Sequence, residues 1–327
     1  MKKMSLTLSC LVALSAGLLR GQTTPPAPTE QMVSVAPDVK LQVLDWGGTG
    51  RPMIFFSGLG DDAHVYDKFA PQFSGKYHVY AITRRGFGAS SKPAPTIENY
   101  NADRLGDDVL AVIDALKLNR PVLVGHSIAG EELSSVGSRH PEMISGLIYL
   151  DAGMGYAYYD AGAGWIVLDM LDLKKKLQQF EDGTIKDEKQ FLHDMLAATS
   201  QFEKDLQQMA KETPNVPLPP SPPPPPRRPA IPAAIQFGEK KYTKIDAPIL
   251  ALFAVPHAAS PALKDYPAAK AAIIEADRER SSTQANAFEA GLPSAHVVRL
   301  PNASHYIFKS NEADVVREMD AFLAKLP

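Results

Sequence analysis

The stretch Val122-Leu123-Val124-Gly125-His126-Ser127-Ile128-Ala129-Gly130 decides how this chain is read. A short apolar run ends at a glycine, a serine follows two residues later, and small residues then open a helical pattern. That is the sequence form of a sharp strand-to-helix turn that lifts one serine hydroxyl above the edge of a sheet. Such a turn is strained and brings the backbone close to itself, so small residues flank it. The usual form is G-x-S-x-G; here Ala129 holds the last position and Gly130 comes one residue later. An alanine methyl is small enough for a close strand–helix contact. A glycine-flanked serine is common in loops, so the assignment rests on what surrounds it.

Outward from this turn, strand and helix patterns alternate. Residues 32–35 and 39–46 alternate around Pro37-Asp38 and predict a hairpin. Residues 53–56 and 79–82 are short continuous apolar runs, as in strands buried on both faces. Over residues 101–116, Leu105, Val109, Val112, Ile113 and Leu116 share one side of a helix. Beyond the serine the spacing predicts a helix over 128–139, strands over 147–150 and 249–255, and a long helix over 268–290. A strand over 297–300 and a helix over 312–326, capped by Ser310 or Asn311, complete the chain. This alternation predicts an α/β fold, a mostly parallel sheet flanked by helices. Between Asp151 and Asp246 the alternation stops. Residues 165–211 are helical in pattern, with Trp165, Leu168, Leu171, Phe191, Met195 and Phe202 as apolar positions, and residues 214–232 hold 11 of the 28 prolines. A proline run favours extended polyproline II and offers few donors to a sheet. Residues 152–245 are therefore expected to form a helical cap with a stiff Pro-rich strap (214–232), inserted into a core of residues 32–151 and 246–327.

With 327 residues, 45% hydrophobic and 22% charged, the composition is that of a globular chain. The formal net charge is −3 and no basic patch points to nucleic acid as a partner. Lys2 and Lys3 precede an apolar stretch from Leu6 to Leu19, too short and interrupted to span a bilayer. Residues 1–21 thus read as a secretory signal peptide, followed by a flexible leader over 22–31. Export to the periplasm or medium is expected, with no stable membrane insertion after cleavage. The single cysteine, Cys10, lies in that segment, so the mature chain would have no disulfide, cysteine nucleophile or thiolate metal site. No H-E-x-x-H, aspartate-rich calcium loop or G-x-x-x-x-G-K-[ST] occurs, and Arg84-Arg85-Gly86-Phe87-Gly88 lacks the dinucleotide form. Neither a metal nor a cofactor is expected.

A serine hydroxyl is a poor nucleophile at neutral pH. It needs a base to take its proton, and the base needs a group that fixes its tautomer. His305 lies in Pro301-Asn302-Ala303-Ser304-His305-Tyr306, directly after the last predicted strand. In a parallel sheet the C-terminal strand ends share one rim, so His305 is the expected base, with His257 after strand 249–255 as its competitor. His78 and His296 fall at strand starts on the opposite rim, His140 and His193 have helical settings, and His64 falls near the entrance. The acid should sit at a strand end between serine and histidine in chain order. Asp151 has that address; Asp265 is the next candidate. The oxyanion needs two backbone donors, expected at Ile128 and at Leu59 in Ser57-Gly58-Leu59-Gly60-Asp61-Asp62. One such donor is worth about 2.7–4 kcal/mol of transition-state stabilisation. Gly58, His126, His257 and Trp165 are expected to line the substrate.

Four motifs stand together: Phe56-Ser57-Gly58-Leu59-Gly60, Arg85-Gly86-Phe87-Gly88-Ala89-Ser90, Gly125-His126-Ser127 and Ala303-Ser304-His305-Tyr306. On them the chain, from about Val39 to Leu326, resembles the α/β-hydrolase superfamily, in its serine esterase and haloperoxidase-like branch with a cap insertion. It departs from many members in having Ser57 where they have histidine, and in an acid that follows the strand after the elbow helix rather than the next one. The resemblance implies acyl transfer on a small-molecule carboxylic ester through an acyl-enzyme: Ser127 attacks, His305 relays protons, Asp151 supports it. A serine nucleophile speaks against opening epoxides or removing halides through an aspartyl ester. Cofactor-free haloperoxidase-like or C–C bond hydrolase chemistry uses the same constellation, and some members of the fold bind ligands without catalysis. The oligomeric state is left open.

Overall fold

The computed structural model describes residues 27–220 and 230–327. The predicted signal peptide and residues 22–26 of the leader lie outside them. The strands are β1 (Thr29–Ala36), β2 (Val39–Gly47), β3 (Pro52–Phe56), β4 (His78–Ile82), β5 (Val122–His126), β6 (Gly146–Leu150), β7 (Ile249–Ala254) and β8 (Ala295–Leu300). The helices are α1 (Ile97–Tyr100), α2 (Ala102–Ala115), α3 (Gly130–Arg139), α4 (Ile166–Glu181), α5 (Glu188–Glu212), α6 (Ala230–Gln236), α7 (Pro267–Gly291), α8 (Ile307–Ser310) and α9 (Glu312–Leu323).

The strands form one sheet in the order β1-β2-β4-β3-β5-β6-β7-β8. The hairpin of β1 and β2 is antiparallel and β2 runs antiparallel to β4; every other pair is parallel. The continuous apolar runs β5, β6 and β7 are buried at every position. Successive residues point to opposite faces. Ile54, Leu123, Leu147 and Ile249 thus meet the α2, α3 and α7 side, while Met53, Val122, Ile148 and Leu250 meet α9 and the aromatic residues Tyr66, Phe69 and Phe73. Burying each such side chain stabilises by about 1.5–3 kcal/mol, which makes the sheet centre a rigid base for the loops at its rim.

Several boundaries differ from those expected. Residues 29–31 belong to β1 rather than to a leader, because they pair with β2 (Thr29 opposite Asp45). The helix expected over 101–116 is α2 (Ala102–Ala115), preceded by the separate single turn α1; Asn101 ends α1 and caps α2, its side chain accepting from the Arg104 N–H. In the strap, residues 221–229 lie outside the described residues and residues 230–232 are helical, in α6. Asn311 starts α9 without a side-chain cap. Among the described residues no helix is long and apolar enough to cross a membrane.

Two buried ion pairs stitch the rim. Arg84, just after β4, makes a two-pronged pair with Glu132 of α3 (2.5 and 2.7 Å) and also donates to the Ser57 carbonyl (3.0 Å). Arg85 makes the equivalent pair with Asp108 of α2 (Nε–Oδ2 2.6 Å). A bidentate guanidinium–carboxylate geometry fixes direction as well as distance, so α3 and the loop after β3 are locked together.

The insertion between β6 and β7 carries α4, α5 and α6. Of the apolar positions expected on it, only Leu168 is buried; Trp165, Leu171, Phe191, Met195 and Phe202 are half-buried, while Phe180, Leu192 and Leu196 are exposed. Its root is held by polar contacts instead. Asp169 accepts from Tyr159 (2.6 Å) and Lys241 (2.7 Å), and Trp165 Nε1 donates to Glu239 (2.7 Å). Burial pushes the Glu239 carboxyl up to about 8, against a weaker pull downward from the Trp165 hydrogen bond.

Two outcomes follow for stability. Glu132→Ala strands the buried Arg84 guanidinium and lowers unfolding free energy by about 3–5 kcal/mol; a loss under about 1 kcal/mol in denaturant titration would show the pair to be dispensable. Glu239 binds a proton in the folded state that the unfolded chain releases between its ordinary value and about 8. The unfolded state thus binds fewer protons in that window, and stability falls as pH rises through it. The melting temperature of Glu239→Gln should decline less between pH 5 and 8 than that of the parent; equal slopes refute the assignment.

Candidate active site

At the end of β5 the chain turns sharply. Ser127 has φ +55°, a left-handed conformation rare for a side chain other than asparagine, aspartate or glycine. A 3-10 turn over Ser127–Ala129 leads into α3. Gly130 is the position that must lack a side chain: a Cβ there would lie 2.0 Å from the Ala152 carbonyl oxygen. The shift of the second glycine from the usual place is thereby explained. It lets the loop after β6 cross the first turn of α3, next to Ser127.

That crossing brings in Asp151, itself at φ +50° and 3% exposed. Its N–H donates to Leu252 (2.7 Å), and its Oδ1 accepts from the Ala254 N–H (2.9 Å), both on β7. Its Oδ2 faces His305 Nδ1 at 2.6 Å, and His305 Nε2 faces Ser127 Oγ at 2.8 Å. With Nδ1–H donating to the carboxylate, Nε2 presents its lone pair to the serine hydroxyl. Burial works to raise the Asp151 carboxyl, but hydrogen bonds from His257 and His305 and their charges outweigh it and hold it near 2. Asp265, the other acid considered, is exposed ahead of α7.

The loops after β7 and β8 are zipped together. Ala303 bridges His257, the Ala258 N–H donates to Ala303 (2.8 Å), and the Asn302 N–H donates to Pro256 (2.9 Å). This places both histidines on one carboxylate. His257 Nε2 lies 2.7 Å from Asp151 Oδ2 and does not reach Ser127; its Nδ1 faces Asp277 of α7 at 3.0 Å. Expected to line the substrate or compete as base, His257 instead supports the acid. It also forms part of the wall of a cavity of about 500 Å³, with Pro214, Pro219, Leu263, Ile273 and Ile274.

His126, also expected to line the substrate, is 1% exposed. As the last residue of β5 it points inward, and its Nε2 donates to the His305 carbonyl (2.9 Å) while its ring packs on Tyr306 (4.7 Å between centroids). Burial and the nearby His305 pull it down to about 4, so it is a neutral donor that braces the His305 backbone. Gly58 lies against this ring: a Cβ there would be 2.9 Å from His126 Nδ1 and 3.2 Å from Ser127 Cβ. The loop carrying Gly58 and Leu59 is thereby held against the serine, with Ile128 on the other side. Ser57 donates to the Asp61 carbonyl (3.1 Å) and Tyr306 to the Asp61 carboxylate (2.9 Å), which closes the loop.

Sequence reasoning missed Tyr156. It is 7% exposed, its hydroxyl interacts with Ser127, and its ring meets Trp165 edge-on (5.5 Å). Burial, then the charges of Asp151, Glu239 and Glu131, keep its proton on. Trp165 therefore reaches the serine through Tyr156. Glu131, one helical turn beyond Ser127, is fully buried, and its carboxyl oxygens have no hydrogen-bond partner among the described residues. Burial and the neighbouring Glu239 and Glu132 push it well above the usual carboxylate range, which favours its protonated form. Asp151, His257 and His305 are the one grouping of metal-ligating atoms among the described residues, and those atoms are engaged in the hydrogen bonds above.

The chain is 27% identical over 104 residues to a 2-(acetamidomethylene)succinate hydrolase of Mesorhizobium japonicum, a match that covers 32% of this chain and 36% of that protein. A 3-oxoadipate enol-lactonase of Acinetobacter baylyi is 32% identical over 114 residues, 35% of this chain and 42% of the lactonase. The matches thus span less than half the length of these relatives. Among solved structures, a serine hydrolase involved in carbazole degradation superposes with a TM-score of 0.54 at 18% identity, over 91% of this chain and 99% of that one. A membrane phospholipase A gives 0.57 at 19%, over 91% and 86%. These likenesses are of fold. Residues 53–318 match the model of the alpha/beta hydrolase family, from the first buried strand to the last helix, and the chain belongs to that family.

Proposed function

We propose that this protein is a serine hydrolase that cleaves a carboxylic ester, or a related acyl bond, through an acyl-enzyme on Ser127. The observation that carries the reading is the placement of His305 between Ser127 Oγ (2.8 Å) and the buried Asp151 carboxylate (2.6 Å). Both distances are within direct proton-transfer reach. His305 Nε2 takes the Ser127 proton as Oγ attacks the carbonyl carbon. The resulting imidazolium is steadied by Asp151, and the oxyanion by the backbone N–H groups of Leu59 and Ile128. His305 then protonates the departing alcohol. Water, deprotonated by the same nitrogen, attacks the acyl-enzyme and releases the acid, restoring Ser127.

The curated relatives hydrolyse an enol-lactone and an acetamidomethylene succinate by name, so acyl and related bonds to small molecules are the substrates to test first. Tyr156 supplies a further proton-bearing hydroxyl beside Ser127. The Trp165–Glu239 contact behind it ties the cap to this corner of the site.

Short-chain p-nitrophenyl esters and small lactones are the deciding panel. Turnover should be present in the parent and fall at least about 10³-fold in Ser127→Ala. Turnover that persists in the variant, or none in the parent on any ester, amide or lactone, defeats the reading. Tyr156→Phe should lower kcat about tenfold or more with KM little changed; an altered KM at constant kcat would make Tyr156 a binding residue only.

A further inference from the structure

His257 lies in the loop after β7 and is the second imidazole on the Asp151 carboxylate. Each of its ring nitrogens faces a carboxylate oxygen: Nε2 to Asp151 Oδ2 at 2.7 Å, Nδ1 to Asp277 Oδ1 and Oδ2 at 3.1 and 3.0 Å. Ionised carboxylates only accept, so both nitrogens must donate, and the ring is an imidazolium rather than either neutral tautomer. Its backbone N–H also donates to Asp277 (2.7 Å), which fixes the ring's position relative to α7. Resting on the acyl-transfer reading above, we propose that His257 and Asp277 form a positioning pair for Asp151, aiming its carboxylate at His305 and setting a second cation against the charge that steadies the base.

The charged groups around His257 come from four elements. Asp151 follows β6, Asp277 and Arg280 lie on α7, His305 follows β8, and Glu212 ends α5. Arg280 pairs with Asp277 (2.9 Å) and reaches Glu212 (3.9 Å), so Asp277 is itself held in place. Burial opposes a charge on His257, but the hydrogen bonds and charges of Asp151 and Asp277 prevail and raise it to about 10. The Asp151 carboxylate then receives three donors: Ala254 N–H on Oδ1, and the two imidazoles on Oδ2. Loss of one donor frees it to rotate about its Cβ–Cγ bond.

The second effect is electrostatic. The His257 and His305 rings lie 5.9 Å apart. When His305 takes a proton, two cations share one carboxylate. The carboxylate that faces the base is thereby shared with a second, permanently donating ring.

Histidine 15N–1H spectra of the full chain test this without reference to turnover, and pH profiles of p-nitrophenyl ester hydrolysis test it through catalysis. In the parent, His257 should show both ring nitrogens protonated up to about pH 9. In His257→Gln the His305 Nδ1–H resonance should move as Asp151 loses one donor, and kcat should fall about tenfold across the pH profile with KM little changed. In His257→Lys, which restores a cation, both should return toward the parent. If His257→Gln does not fold, Asp277→Asn serves: His257 should then lose a ring proton at lower pH than in the parent. A neutral His257 at pH 7 in the parent, or a Gln variant whose melting temperature falls while the His305 signals stay put, overturns the proposal. Spectra as expected from a protein that turns over no ester would retain the pair and reject the acyl-transfer reading alone.

Discussion

The structure of the site hangs on one buried carboxylate. Asp151 lies in the left-handed region, where an aspartate is tolerated better than most residues, and its oxygens face β7 and the loops after β7 and β8. Every donor comes from a segment more than a hundred residues later in the chain. A buried carboxylate without such donors would take up a proton instead. The same contacts that keep Asp151 ionised therefore also hold the histidine loop to the sheet. Gly130 makes this possible by leaving room for the backbone at Ala152.

Around that anion the protein sorts its buried acids into two kinds. Asp151 and Glu132 are matched by cations or multiple donors, and Glu132 locks α3 to the loop beside the serine through Arg84. Glu131 and Glu239 form no ion pair among the described residues, and burial favours their neutral form. The serine thus sits between an ionised side, with Asp151, His257 and Asp277, and a neutral, proton-rich side, with Tyr156, Glu131 and Glu239. On the proposed acyl-transfer reading, such a division puts charge where an imidazolium would develop and keeps it away from the opposite wall.

The cap shows a different economy. Its helices bury little apolar surface, and their attachment runs through Asp169, Lys241, Tyr159, Trp165 and Glu239. A helical period is visible in sequence, but whether its apolar stripe meets a partner is decided by the rest of the fold. That is why Trp165, Leu171, Phe191, Met195 and Phe202, apolar positions of that pattern, are only half-buried.

Much of the molecule was legible from local pattern. Continuous apolar runs can lie only in the middle of a sheet covered on both faces, and glycines around a serine mark a turn that larger residues would block. Ser127, His305 and Asp151 were located by one rule, that parallel strands present their C-terminal ends on a common rim. The same rule put His257 on that rim but left its partner open. Whether it faces the serine or the acid depends on the pairing of the β7 and β8 loops and on α7 delivering Asp277, contacts between segments far apart in sequence. His126 turned inward because the last residue of β5 alternates away from its neighbour Ser127, toward a loop formed nearly two hundred residues later. Tyr156 and the neutral acids carry no motif, since their role comes from burial. Periodicity and turn chemistry are local properties and stand in the sequence itself; proton positions and the pairing of charges depend on distance and solvent exclusion, which exist only once the chain has folded.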